Sequence, residues 1–397
     1  MKRRHRRAKR YRRHSSLKSR AWGPLVILGG IILGILAAAA LIIFVALPKV
    51  LPLFGVDYSA PFAPTPTPVP TPRPTPTPRP IEMIDPSELQ NEVLMPAGHN
   101  YVYFGNPYAY GDELIFTTGK VVETSSRMVG MYFYDPETQE STEAGEPLRN
   151  DHYMYPAFND KWLVYLDAKA EGGGQILAIR RDQEKASAVV VKDVYTGYPE
   201  LKLDGDYLAW MERTGTRMDK LFVCDLNTME STTMQMFSAS TYGQSLPSLM
   251  NGVLVWADAD YEFVDEKGTS AIHSISINAS SINTYLPKTY VHDPEGNGTY
   301  YAWLDGNHGP DTRLYYGTYG GKPIEIDSCV VEFGLANSFI AYGKDEQIYV
   351  YLLDKKKKFL LTEEWEAGQF LGVSGNKVFW MDVTTRERDI LKFATIE

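Results

Sequence analysis

The chain has 397 residues, 44% of them hydrophobic, and a formal net charge of −9, a length that suits one large domain with attachments. Eleven of the 40 Lys and Arg residues fall within 1–20 and three within 21–80. Of the 49 acids only Asp57 precedes residue 81, so the remainder carries 26 basic against 48 acidic residues, a formal −22. Such an acidic body argues against nucleic acid as a partner, because phosphates need Lys and Arg to neutralise them.

Residues 1–21 form a polybasic head, M-K-R-R-H-R-R-A-K-R-Y-R-R at its start. Residues 22–48 contain Leu25–Leu47, 23 residues without a charge. At about 1.5 Å per residue this run makes a helix of roughly 34 Å, enough to cross a bilayer core of about 30 Å. It exceeds the apolar region of a cleavable signal peptide, about 7–15 residues, and is read as an uncleaved signal-anchor. The basic flank then keeps the N-terminus in the cytoplasm and places the rest outside it. The same cluster suits anionic lipid headgroups, with nucleic acid or a cytoplasmic protein as the alternative partner of the head.

Residues 49–90 form a linker. Ala60–Pro80 holds ten prolines in 21 residues, mostly alternating with threonine. Proline fixes φ and removes amide donors, so the stretch predicts a polyproline II stalk of roughly 60 Å. Its threonines could carry O-glycans, or the stalk could be a bare spacer. An anchor, a stalk and an acidic body together suggest a bacterial surface protein.

From residue 91 to the C-terminus one pattern recurs: a turn pair such as Asp204-Gly205 or Asn251-Gly252, then a short strand carrying an aromatic residue. These aromatic anchors are Phe116, Tyr165, Trp210, Trp256, Trp303, Tyr342 and Trp380, separated by 49, 45, 46, 47, 39 and 38 residues. A period near forty to fifty with about four strands per unit is the signature of propeller blades. The expected fold is an all-β seven-bladed propeller, preceded by a transmembrane helix and a Pro/Thr-rich linker. The last repeat stops at its third strand, and Glu92–Tyr103 is expected to close the ring by supplying the fourth. Cys224 lies within an apolar strand and reads as a small buried residue; a disulfide to Cys329 would have to span the ring.

The stretch Pro199–Thr228, with D-G-D-Y-L-A-W followed by L-F-V-C-D-L-N-T, resembles the repeat of TolB-like β-propellers. Weaker matches lie at Pro156–Asp182 and Pro247–Asn278. The resemblance implies a fold and no single activity, because propellers host binding, scaffolding and enzymatic functions alike.

No G-x-S-x-G, H-E-x-x-H or phosphate-loop motif is present, nor any cofactor fingerprint. His99, His152, His273, His292 and His308 are scattered without ligand spacing. Two constellations remain. Tyr153, Tyr195, Tyr242 and Tyr290 each stand shortly before a strand-opening proline, and could ring a channel mouth to meet sugars or peptides; the alternative is that they wedge adjacent blades. Asp258, Asp260 and Asp265 could offer oxygen ligands to calcium, but lack the glycine-centred loop that such sites use, and solvated loops are the plainer reading. The expected function is binding or scaffolding at the cell surface, with a protein, peptide or cell-wall glycan as ligand. The alternative is a carbohydrate-active or hydrolytic enzyme, which would need at least two titratable groups converging in one pocket.

Overall fold

The computed structural model describes residues 86–122, 125–213, 218–238, 246–259, 270–285, 291–305, 312–385 and 389–397. The polybasic head, the apolar run 25–47 and the Pro/Thr stretch lie outside them. Among the described residues no helix is long and apolar enough to cross a membrane; a four-residue helix, α1 (Pro86–Leu89), precedes the first strand.

The described residues form seven four-stranded antiparallel sheets, a seven-bladed β-propeller. Strand β1 (Gln90–Glu92) comes first. Blade one is β2 (Tyr103–Tyr110), β3 (Glu113–Val122), β4 (Ser125–Asp135) and β5 (Glu140–Glu143). Blade two is β6 (His152–Phe158), β7 (Trp162–Ala168), β8 (Gly174–Arg180) and β9 (Val189–Val194). Blade three is β10 (Lys202–Asp204), β11 (Tyr207–Arg213), β12 (Met218–Asp225) and β13 (Glu230–Ser238). Blade four is β14 (Ser248–Met250), β15 (Val253–Ala259), β16 (Ser270–Ser276) and β17 (Asn283–Tyr285). Blade five is β18 (Val291–Gly296), β19 (Tyr300–Asp305), β20 (Arg313–Thr318) and β21 (Ile324–Ser328). Blade six is β22 (Glu332–Leu335), β23 (Phe339–Lys344), β24 (Gln347–Leu352) and β25 (Lys357–Leu360). Blade seven is β26 (Gly368–Ser374), β27 (Lys377–Asp382) and β28 (Ile390–Thr395), with β1 as its fourth strand.

Each anchor aromatic lies on the second strand of its blade and is at most 1% exposed. The core is correspondingly split into clusters that straddle neighbouring blades. Trp210, for instance, packs with Trp162, Val164, Leu166 and Ile176 of blade two. A lone four-stranded sheet cannot cover both faces, so the ring is the way each blade hides its apolar sides.

The turns between first and second strands are stitched to one another. Asn159 Oδ1 accepts the amides of Lys161 and Trp162 in its own turn, while its Nδ2 donates to Gly205 O of the next blade at 2.7 Å. Asn297 repeats the arrangement, with Oδ1 accepting from Thr299 and Tyr300 and Nδ2 donating to Ala336 O. Asn251 donates to Asn297 O at 2.9 Å and also to Asn337 Oδ1 at 2.8 Å. That second bond skips a blade, so these turns converge on the ring axis.

N-terminal chain closes the ring as expected, beginning two residues before Glu92 rather than running on to Tyr103. Gln90, Asn91 and Glu92 pair with Ala394, Phe393 and Lys392. A three-residue strand shows no alternation, which is why its place was not readable. A buried polar network clasps it. Glu366, 1% exposed, accepts from Trp380 Nε1 (2.9 Å), Lys392 Nζ (3.1 Å) and Gln90 Nε2 (3.2 Å), and Lys392 also pairs with Asp382 at 2.9 Å. Cys224 is buried, Cys329 is partly so, and both are free thiols.

Candidate functional site

The first strand of every blade is the innermost. Contacts between non-adjacent blades, such as Tyr108 of blade one donating to Leu203 O of blade three at 3.4 Å, are possible only around the axis. The residue before each anchor pairs with a residue on the innermost strand. The pairs are Ile115 with Tyr108, Val164 with Ala157, Ala209 with Lys202 and Val255 with Ser248. Ala302 with Glu295, Ala341 with Gly334 and Phe379 with Gly372 complete the set. These seven inner residues stand eight positions before their anchors (202 to 210, 295 to 303) and form one level of the channel. Two positions further up stand Asn106, Tyr155, Glu200, Leu246, Asp293, Glu332 and Phe370.

Local backbone chemistry aims these side chains. In blades one, two and five the ladder slips between Gly105 and Tyr108, Met154 and Ala157, and His292 and Glu295. Each slip holds a residue before proline in the left-handed region: Asn106 (φ 44°), Tyr155 (φ 50°) and Asp293 (φ 43°). Such bulges place two residues opposite one and turn a side chain out of the ladder. Proline lacks a ladder donor, so the bulge also gives it a place. On the plain strand of blade six, Gly334 is required by close approach, because a Cβ there would lie 2.8 Å from Val373.

The two levels bring together Glu200, Lys202, Asp293, Glu295 and Glu332, with Tyr108 and Tyr155 beside them. Lys202 Nζ and Glu200 form an ion pair. Glu295 Oε2 accepts the Leu335 amide at 2.5 Å. Burial pushes the Glu295 carboxyl up to about 7, against the pull of Lys202 and the Leu335 amide. Burial pulls the Lys202 ammonium down, but Glu200 and Glu295 outweigh it and hold it above its ordinary value. Crowding by surrounding protein, then the charges of Asp293 and Glu200, raise the Glu332 carboxyl, although solvent still reaches the side chain. Burial lifts the Tyr108 phenol to about 12, so it remains a neutral donor at physiological pH. The innermost strands contain one lysine, Lys202, and no arginine. Among the described residues the throat is thus a partly solvent-reached, carboxylate-rich level of the channel with one ammonium, Lys202.

The residues singled out from the sequence sit as follows. Tyr153 is 7% exposed, donates to Glu146 O at 2.6 Å and packs edge-on against Tyr165, so it wedges blades one and two. Tyr195 is 80% exposed on the connection into blade three. Tyr242 and Tyr290 lie outside the described residues, as do Asp260, Asp265 and the Asp258 side chain. Among the described residues no three His, Cys, Asp or Glu side chains gather as a metal-ligand set. A separate shallow cleft of about 420 Å³ lies between blades one and two, lined by Tyr110, Glu113, Asp160 and Arg181. Its polar groups serve one another: Arg181 Nη2 meets Glu113 at 2.6 Å and Tyr110 donates to Asp160 at 3.0 Å.

The throat acids went unnoticed in the sequence because they are scattered between positions 200 and 332. Counting back eight and ten residues from every anchor would have lined them up.

No family model matches the chain, and no curated protein matches it in sequence. Solved structures share its fold. The β-propeller domain of the Trilobed protease from Pyrococcus furiosus, described as having an open velcro topology, is 11% identical with a TM-score of 0.58, covering 74% of this chain and 93% of that one. The uncomplexed acylaminoacyl peptidase of Pyrococcus horikoshii is 10% identical with a TM-score of 0.56, over 74% of this chain and 52% of its own. An oligogalacturonate lyase in complex with manganese is 14% identical with a TM-score of 0.50, over 75% and 90%. At such identities the likeness is one of fold. These three are the propeller domain of a protease, a peptidase and a lyase.

Proposed function

We propose that this chain is a membrane-anchored, extracytoplasmic β-propeller that binds a partner over the upper mouth of its channel, acting as a binding or scaffolding module at the bacterial cell surface. In this reading residues 1–21 stay in the cytoplasm against anionic lipid, 22–48 cross the membrane, 49–90 space the propeller away from it, and the TolB-like repeat is the scaffold. The observation that carries the binding role is the throat itself. Charged groups from blades three, five and six converge there, reached by solvent, with Asp293 set on the backbone bulge of blade five. The test is a photo-cross-linking amino acid placed, in the full chain in its native envelope, either at Val331 on the upper face or at Lys322 on the lower. Adducts from Val331 and none from Lys322 are expected; the reverse pattern, or none from either, would remove the proposal.

A second reading, an enzyme, is favoured by one observation: Glu295, poised near neutrality, shares its pocket with Lys202 and Glu200, which meets the requirement for converging titratable groups. An oligogalacturonate-like substrate does not suit it, because a polyanion would be repelled by four carboxylates facing one ammonium.

A further inference from the structure

Connections between the fourth strand of one blade and the first of the next lie on the upper face, around the channel mouth. Those connections carry most of the exposed large apolar side chains that are not on strands: Leu94 (45% exposed), Val102 (52%), Tyr195 (80%), Leu246 (40%), Val331 (70%) and Trp365 (70%). They come from five of the seven blade junctions. At the lower turns Tyr110 (42%), Ile282 (46%) and Tyr319 (40%) are also exposed among the described residues, each well below Tyr195, Val331 and Trp365. Val102, Leu246, Val331 and Trp365 lead into innermost strands while Leu94 and Tyr195 leave outermost ones, and large apolar side chains gathered on one face mark a contact face. Tyr195 and Trp365 are of the types that anchor such contacts.

Beneath this rim lie Glu200, Asp293, Glu295 and Glu332, opposed among the described residues of the innermost strands by Lys202. Glu332 is exposed, and among the described residues its carboxylate has no hydrogen-bond or ion-pair partner. An apolar rim over a negative throat complements a ligand that is greasy and cationic at once.

We propose that the upper face docks a peptide segment of another protein in which apolar side chains alternate with Lys or Arg, the apolar groups lying on the rim and one cation entering the throat. This rests on the upper mouth being the binding face, and names what it binds. Charge selects the ligand in the throat, where low-dielectric walls concentrate the field. The rim supplies the desolvated area that charge pairs in water lack. Neutral glycans would find the aromatic groups but no use for four carboxylates. Polyanions would be turned away.

The experiment is calorimetric titration of the full chain with three capped heptapeptides alternating leucine with lysine, with glutamate or with serine. The lysine peptide is expected to bind, more weakly as salt rises, and the glutamate peptide not at all. Glu332→Gln should weaken the lysine peptide several-fold. The exposed pair Tyr195→Ser with Trp365→Ser should weaken it about tenfold while leaving the melting temperature unchanged. Equal affinity for the three peptides, or undiminished affinity in the rim pair, would overturn the inference. So would self-association of the chain through this face, which would assign it to a second copy. Failure of the lysine peptide to bind while Val331 still gives cross-links would sink the ligand class and leave the binding face standing.

Discussion

Among single residues, the anchor tryptophans separate burial from hydrogen bonding. The indole N–H groups of Trp210, Trp256 and Trp303 are buried without a partner, whereas Trp380 donates to Glu366. Trp210→Ala should cost about 3–5 kcal/mol, the usual result of emptying a large aromatic site. Phenylalanine at 210 leaves no partner stranded, but at 380 it removes a donor from a buried carboxylate. Urea denaturation should therefore show Trp380→Phe to be worse than Trp210→Phe by about 1–3 kcal/mol; equal losses would contradict the assignment. Glu295 makes the second residue-scale prediction. Its carboxyl is raised on folding to about 7, so the native state holds a proton that the unfolded chain has released, between about pH 4.3 and 7. Its contribution is complete below that window and is lost as pH rises through it. Glu295→Gln should accordingly gain on the parent as pH climbs from 4 to 8, followed by melting temperature. A constant difference across that range would show that the group does not titrate there.

Among elements, the three-residue β1 is the one whose loss should be felt most for its size. It covers the edge of β28 and brings Gln90 to the Glu366 network. Without residues 86–92 the amides of Leu391–Thr395 should exchange with solvent well before the other blades, as seen by mass spectrometry. Glu366→Ala should cost about 1–3 kcal/mol, because it leaves the buried Trp380 donor without its acceptor, while Lys392 keeps Asp382 and Gln90. The blades themselves were legible in the sequence, since turn pairs such as Asp204-Gly205 and Asn251-Gly252 and the aromatic beat are local signals. What those asparagines also do was not legible. Asn159, Asn251 and Asn297 read as turn formers, yet each spends its amide nitrogen on the following blade, a partner set by the ring. The prolines after Tyr155 and Asp293 read as strand openings but mark bulges, and Pro107 after Asn106 marks a third.

Across the whole molecule, the sevenfold count followed from spacing alone, while the throat required register. Tyr153 shows the difference. Proline proximity suggested a place at the mouth, but its side chain alternates into the gap between blades one and two. Lys202 and Glu295, 93 residues apart, became neighbours only once each was counted from its own anchor. Topology is the prediction that belongs at this scale. In spheroplasts, externally added protease should digest the propeller and spare the 1–21 head. A protected C-terminus would reverse the proposed orientation.

The pairing of β1 with β28 also has a consequence in time. Gln90 and Lys392 lie 302 positions apart, so the segment synthesised before any blade must wait for the one synthesised after all of them. Loop closure over such a distance is slow. Until the last strand emerges, blade seven lacks its border and the nascent ring stays open. A chain threaded across a membrane from its N-terminal side would thus stay loose during passage and lock only on arrival.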